Sequence, residues 1–313
     1  MRFGLLLALY TLSLFADAHL FVFHRFDDTR HPSTSTSLQT LRAEFQYLKD
    51  NHYKVISLKR LHTALEEGED ISDKWVVLTI DDTFKSFYTN GLDVFKEFNY
   101  PFTLFVYVQA TVGHYGDYMS WAQIEEASRY GEIGFHSYGH PHLVGLSTQK
   151  IKDDTKKGLT LMQKHLGFVP EYYAYPYGEY NPRVRQTIET FNFKLIINQN
   201  AGAVDKKSDK FDLDRIALTG ENTLKRKLRI KTLPTEWIYP KTWPKNSTIT
   251  SLKARLPSKV KNIEYYISGQ GWNRAKLTQG LLDVTIDKKL KFFRTRIFLK
   301  DGHRQSSIIL VKE

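Results

Sequence analysis

Three short stretches of this chain combine residue types that do chemistry. The run Trp75-Val76-Val77-Leu78-Thr79-Ile80 is apolar except for Thr79 and stops at Asp81-Asp82. Such a run suits a strand buried on both faces. Paired carboxylates inside a core strand would carry a heavy desolvation cost, so they belong at its carboxyl end. An Asp-Asp pair alone would more often open a loop or cap a helix. The second stretch is His136-Ser137-Tyr138-Gly139-His140, which follows the short apolar run Ile133-Gly134-Phe135, with His142 close behind. Two imidazoles four residues apart can reach one ion if the backbone between them turns, and Gly139 and Pro141 favour a turn. Added to a carboxylate at a parallel strand end, they make a two-His, one-carboxylate set that leaves positions open for water and substrate. The third stretch, Tyr175-Pro176-Tyr177-Gly178, is also an ordinary turn sequence. Gly178 lets the backbone approach a ligand closely, and exposed N–H groups in such a loop can stabilise an oxyanion.

The elements that must position these residues repeat along the chain. From His19 to about Ile230, short apolar runs alternate with amphipathic stretches, the pattern of β/α units around a parallel, buried sheet. Expected strands are Leu20-Phe23, Lys54-Ser57, Trp75-Ile80, Phe102-Val108, Glu132-Phe135, Tyr172-Tyr175 and Lys194-Ile197. Seven strands suggest a barrel, whose catalytic face is the carboxyl end of the strands. Helices fit between them: Leu38 to Lys49 after a Ser37 cap, Trp121 to Tyr130 after a Ser120/Gln123 capping box, and Thr148 to Leu166. Beyond about Tyr239, Pro240, Pro244 and Pro257 mark a linker-like stretch, followed only by strand-like runs. These are Ile263-Ile267, Leu281-Ile286, Phe292-Leu299 and Ile308-Val311, with Asp301-Gly302 as a hairpin turn. The fold class is therefore α/β, with a barrel over 19–238 and a small antiparallel β-sandwich over 239–313. The sandwich has no clustered ligand-type residues in sequence and is expected to be an accessory or packing module.

At 313 residues and 41% hydrophobic content the chain can bury a substantial core. Cysteine is absent, so any metal must use His, Asp or Glu. Arg2, the apolar run Phe3 to Phe15 and the small-x-small triplet Ala16-Asp17-Ala18 read as a signal peptide over 1–18, with a mature start at His19. The run is shorter than the roughly 20 residues that span a bilayer, so no integral membrane span is expected in the mature chain. Export would place the protein in the periplasm or cell envelope, or outside the cell. The formal net charge is +11, which suits attraction to an anionic envelope or polymer, although a merely basic surface fits equally well. Lys and Arg are spread without a concentrated block, so no nucleic-acid partner is expected.

With these motifs the chain resembles the polysaccharide deacetylases of carbohydrate esterase family 4, the NodB homology fold. That family carries Thr-Phe-Asp-Asp, His-[Ser/Thr]-x-x-His and Arg-x-x-Tyr-Gly-like motifs in this order on a distorted seven-stranded barrel. Here they stand as Thr79-Ile80-Asp81-Asp82, His136-Ser137-Tyr138-Gly139-His140 and Ala174-Tyr175-Pro176-Tyr177-Gly178. The likeness spans roughly residues 19 to 235. It implies that Asp82, His136 and His140 hold a divalent metal ion, zinc first, with cobalt, nickel or iron as alternatives. It further implies that Asp81 is the general base and that the backbone N–H of Tyr177 shares the oxyanion. The implied partner is an N-acetylglucosamine-containing polysaccharide. Phe23-His24-Arg25-Phe26, with Lys54-Val55-Ile56-Ser57-Leu58 after it, resembles the branch that acts on poly-N-acetylglucosamine, which ranks that polymer first and peptidoglycan second. Two positions depart from the pattern. Ala174 stands where many relatives place an Arg, a role that Arg215 could take from a later strand. No Leu-x-His motif occurs near 220–235, which leaves His24 or His142 as the proton donor. The missing acid keeps open a non-catalytic carbohydrate-binding protein on a degenerate version of the fold. A non-haem iron oxygenase would use the same ligand types but leaves Asp81 unexplained. Trp121, Tyr138, Tyr175 and Tyr177 lie in or near the motif loops, where flat rings could stack on sugars.

Overall fold

The computed structural model describes residues 17–219 and 223–313. The apolar run expected as a signal peptide lies outside the described residues. Asp17 and Ala18 are built into the fold: Ala18 bridges Val204, and Asp17 Oδ1 accepts from the Thr232 amide at 3.1 Å. A cut before His19 would remove both contacts.

The barrel strands are β1 His19–Phe23, β2 Lys54–Val55, β3 Trp75–Ile80, β4 Thr103–Val106, β5 Glu132–Phe135, β6 Tyr172–Ala174, β7 Leu195–Ile197 and β8 Ile216–Ala217. All pair in parallel, in the order β8-β1-β3-β4-β5-β6-β7, with β2 against the first half of β3. Leu213 bridges Ile197, and three residues later Ile216 pairs with Phe21, so the segment 213–217 closes the ring. β1 and β4 are buried at every position, which is why, after His19 and Thr103 at their starts, they read as continuous apolar runs rather than as alternation.

Among the described residues, the six α-helices of seven or more residues cover the outside: α1 Leu38–Asp50, α2 Leu58–Glu67, α3 Leu92–Phe98, α4 Trp121–Ala127, α5 Thr148–Leu166 and α6 Pro182–Glu189. Ser37, Ser57, Ser120, Ser147 and Asn181 each accept a hydrogen bond from the backbone N–H three residues on, satisfying donors that a helix start leaves free. Gln123 returns the bond to Ser120 and completes the expected capping box. Phe45, Phe87 and Phe102 set their rings edge-to-face around Phe95, fixing α1 and α3 against the sheet.

The β-domain begins earlier than expected. β9 Lys231–Thr232 pairs in parallel with Arg304–Gln305, and β10 Glu236–Tyr239 straddles the expected boundary to pair with β11 Thr248–Arg255. The proline-rich stretch is thus not only a linker, since it contains β11. A bulge between Ile249 and Ser251 interrupts that strand's alternation and hides it from a period-two reading. β12 Asn262–Ile267, β13 Gly271–Lys276, β14 Leu281–Lys289, β15 Arg294–Asp301 and β16 Arg304–Val311 complete two sheets, β9-β16-β15-β12-β13 and β10-β11-β14. They enclose a core that includes Ile249, Leu252, Ile263, Ile267, Ile297 and Leu299. The turn at Asp301-Gly302 forms as expected. Ile309 and Val311 reach into the barrel's own core, while Ser307 Oγ accepts from Ala201 N and Arg296 donates to the Gln199 carbonyl. The β-domain is thereby seated on the barrel loops that follow β6 and β7.

Candidate metal centre

β3 delivers Asp81 and Asp82 to the carboxyl end of the barrel, where Asp81 N donates to the Phe23 carbonyl at the tip of β1. Asp81 is fully buried, and Arg215 grips it with both arms: Nη1 to Oδ1 at 2.7 Å and Nη2 to Oδ2 at 2.6 Å. Arg215 is itself fully buried and is held by Thr79 Oγ1 at 2.9 Å and the Asn198 carbonyl at 3.3 Å. Burial, the largest single influence, pushes the Asp81 carboxyl up, but the charge and hydrogen bonds of Arg215 together with the His136 and His24 imidazoles outweigh it and the net shift is downward.

His136 follows β5, and its Nδ1 donates to the Ala174 carbonyl at 2.7 Å, which leaves Nε2 free to ligate. The position that lacks the family Arg therefore contributes through its backbone. The loop from Ser137 to His140 is folded by two carboxylate hydrogen bonds, Tyr138 N and Gly139 N to Asp154 on α5, at 2.9 and 2.8 Å. Ser137 Oγ accepts from His140 N at 2.8 Å. Gly158 lets α5 come this close, since a Cβ there would sit 2.5 Å from the Phe135 ring.

His140 Nε2 ends 3.2 Å from His136 Nε2 and 3.1 Å from Asp82 Oδ1, with His136 Nε2 3.4 Å from the same oxygen. Ligands about 2.1 Å from a divalent ion lie about 3.0 Å apart along an octahedral edge and about 3.4 Å along a tetrahedral one. The three atoms therefore fit one ion. Asp82 Oδ1 is buried and lacks a hydrogen-bond partner, as a ligand atom would. Burial raises the Asp82 carboxyl, yet the two imidazoles prevail and hold it well below the usual carboxylate range. Asp82, Thr83, Ser137, His140 and Tyr177 all have positive φ, between 50° and 71°. Non-glycine residues in that region are strained, and their clustering at one end of the barrel marks a site whose surroundings fix the backbone.

His24, at the tip of β1, is half-buried beside these charges, and its buried Nδ1 has no partner; loss of solvent lowers its imidazole. His142 lies farther out, stacked on the Tyr177 ring at 4.2 Å, and Tyr177 in turn meets His140 at 4.4 Å. Of the four aromatics expected near substrate, Tyr177 is 39% exposed, but Tyr175 is fully buried and Trp121 stacks on His165. Tyr107, 5.2 Å from the His140 ring, and Tyr118 beside it line the site without having been singled out in the sequence. Gly178 is required by protein rather than ligand: its φ is +68°, and a Cβ would lie 2.6 Å from Gln199 N.

Sequence reading also missed three polar groups. Asp154 carries no local signal beyond lying on an amphipathic helix. Glu179 directly follows the Tyr-Pro-Tyr-Gly turn and is buried, joining His142 Nδ1 at 2.7 Å to Arg294 Nε of β15 at 3.1 Å. Arg294 also donates to the Tyr177 carbonyl, so the β-domain braces the loop beside Asp82, His136 and His140. A second group of ligand-type residues, Asp28, His31 and Asp117, is already neutralised by Arg25 at 2.7 Å from Asp28 and Arg30 at 2.8 Å from Asp117.

Residues 68–196 match the family model described as polysaccharide deacetylase. The poly-beta-1,6-N-acetyl-D-glucosamine N-deacetylase of Escherichia coli is 22% identical over 245 residues, 63% of this chain and 35% of that protein. The peptidoglycan-N-acetylglucosamine deacetylase PgdA of Listeria monocytogenes is 30% identical over 146 residues, 44% of this chain and 30% of that protein. The chain thus spans about a third of the length of these two curated relatives. The Streptococcus pyogenes deacetylase PplD superposes with a TM-score of 0.63 at 21% identity, over 68% of this chain and 97% of that one, a likeness of fold.

Proposed function

We propose, from the premise that the barrel of this chain carries a polysaccharide deacetylase domain, that it hydrolyses the N-acetyl groups of amino sugars in an extracytoplasmic polymer. Poly-β-1,6-N-acetylglucosamine is the first candidate and peptidoglycan the second. The observation that carries this reading is the convergence of Asp82, His136 and His140 within 3.1–3.4 Å, with a spare carboxylate on Asp81 locked by Arg215. A divalent ion held by those three side chains would polarise the acetamide carbonyl and acidify a water. Zinc suits the two imidazoles and one carboxylate, with cobalt, nickel or iron as alternatives.

The chain's own residues then divide the remaining work. Asp81 takes the proton of the attacking water. Arg215 keeps that carboxylate ionised, so it starts empty of a proton, and the two-pronged contact fixes its plane. The Tyr177 backbone N–H faces the developing oxyanion, a contact whose loss costs about 3 to 4 kcal/mol in enzymes where such a donor has been removed. His24 passes a proton to the departing nitrogen. Burial lowers the His24 imidazole, so it must be charged within the cycle before it donates, and the proton that Asp81 takes from the water supplies that charge. His142, tied to Glu179, is the second candidate for that step.

Acetate release from N-acetylglucosamine oligomers, with Zn²⁺, Co²⁺ or Ni²⁺ added, tests the reading. The wild type should release acetate without O₂, and Asp81→Asn should be slower by about three orders of magnitude. Equal rates for the two would remove the assignment of Asp81, and no acetate with any of the ions would remove the function. Alanine at His24 or at His142 decides between the two donors, since the true donor's loss slows release and the other's does not.

A further inference from the structure

The outer face of the five-stranded β-domain sheet carries two adjoining rows of side chains whose chemistry fits a sugar. Register places Tyr266 opposite both Trp272 and Phe298, so the three rings form one row across β13, β12 and β15. Their centroids lie 5.4, 5.9 and 6.4 Å apart, and Trp272 is 53% exposed. Two residues along the same strands, on the same face, Glu264 stands opposite both Arg274 and Lys300. The Arg274 guanidinium meets Glu264 at 3.0 Å, and Lys300 Nζ lies 5.9 Å from the Trp272 ring. A cavity of about 580 Å³ opens along this charged row.

From this face we infer a second carbohydrate-binding site, distinct from the metal centre, that takes N-acetylated pyranose units of the polymer on which the barrel acts. The inference rests on the proposed function only for the identity of the polymer. An exposed ring offers a flat apolar surface to the C–H face of a pyranose, and the neighbouring planar guanidinium and carboxylate supply donors and an acceptor for hydroxyl and acetamido groups. Half-exposed aromatics beside paired charges fit a ligand that is apolar on its faces and polar around its edge. A protein partner would instead favour a contiguous apolar patch with its charges at the rim.

Continuity with the active end supports the same occupant. Arg294, Arg296, Phe298 and Lys300 alternate onto one face of β15. The first two hold the barrel loops, Arg294 at the Tyr177 carbonyl and Arg296 at the Gln199 carbonyl, 3.0 Å away. Phe298 is four residues from Arg294, so the aromatic row begins roughly 13 Å along the strand from the contact that braces the metal-side loop. A polymer lying on this face would lead directly to the barrel mouth.

The test uses the full chain stripped of metal, so that binding is read without turnover. Calorimetric titration with β-1,6-linked N-acetylglucosamine hexamer and with the disaccharide compares wild type, Trp272→Ala and Arg274→Ala. Trp272→Ala should weaken hexamer binding roughly 3- to 10-fold and leave disaccharide binding unchanged. In metal-loaded protein it should raise the KM for polymer while acetate release from the disaccharide stays within about twofold of wild type. Hexamer affinity unchanged in both variants, with unfolding midpoints equal to wild type, would overturn the site. So would unchanged affinity in a Trp272→Ala protein that sediments as a monomer where the wild type sediments as a dimer, because the face would then be a self-association surface. If hexamer binding depends on Trp272 but no acetate appears with any metal, the binding site stands and the deacetylase reading fails.

Discussion

Arg215 with Asp81, and Arg274 with Glu264, are both guanidinium–carboxylate pairs at close range, one in the barrel and one on the β-domain. The barrel pair has neither side chain exposed, whereas the β-domain pair is 85% and 41% exposed. In water such a pair is screened and gains little. Inside the barrel neither ion can turn to solvent, so each depends on the other, and Arg215 depends on Thr79 and Asn198 for its remaining bonds. The contrast teaches that pairing by itself identifies nothing. Burial at the carboxyl ends of parallel strands turns an ion pair into an oriented carboxylate whose charged form is favoured, while exposure leaves the same groups free to meet a ligand.

The sharpest way to break this comparison is to remove the cation from each pair. Arg215→Met should destabilise the fold by about 3 to 5 kcal/mol and cut acetate release at least 100-fold, because a buried carboxylate loses its partner. Arg274→Met should leave both the unfolding midpoint and the disaccharide rate near wild type. Equal effects in urea denaturation and turnover would end the distinction.

The junction of the two regions supplies the next effect. His19 Nε2 donates to the Ile230 carbonyl just ahead of the β-domain, and burial lowers its imidazole to about 4. The unfolded chain takes up a proton below about 6.5 while the folded chain does not. Stability should therefore fall as pH drops from about 6.5 toward 4, by up to about 3 kcal/mol, and level off below. In urea midpoints measured from pH 4 to 8, His19→Gln should flatten that slope, and an unchanged slope would assign it to other groups.

Smaller effects probe the supports of the imidazole side. Asp154→Ala frees Tyr138 N and Gly139 N and should weaken zinc affinity about 10- to 100-fold in a competitive chelator titration, with little change in kcat at saturating metal. Arg294→Met unbraces the Tyr177 loop from the β-domain side and should lower kcat about 3- to 10-fold without altering zinc affinity. A fall in metal affinity instead would mean that the β-domain supports the ligands rather than the loop carrying the Tyr177 amide.

What could be read along the chain was local. The strand ends carrying Asp81, Asp82 and His136 showed as apolar runs cut off by polar residues, and the caps at Ser37 and Ser120 showed as motifs. The β-domain was harder: β11 is broken by a bulge, and β13 is exposed at nearly every position, so neither shows clean alternation.

By itself, then, the amino-acid sequence determined which residues could serve as ligands and base, because a buried parallel strand and the turn after it are written in consecutive side chains. Only the tertiary structure decided that Arg215 would meet Asp81, that Asp154 would shape the His136–His140 loop, and that Glu179 and Arg294 would tie the β-domain to it. Those contacts join residues far apart in sequence. They form because barrel closure and sheet register bring the groups together, and neither is encoded in any short stretch of chain.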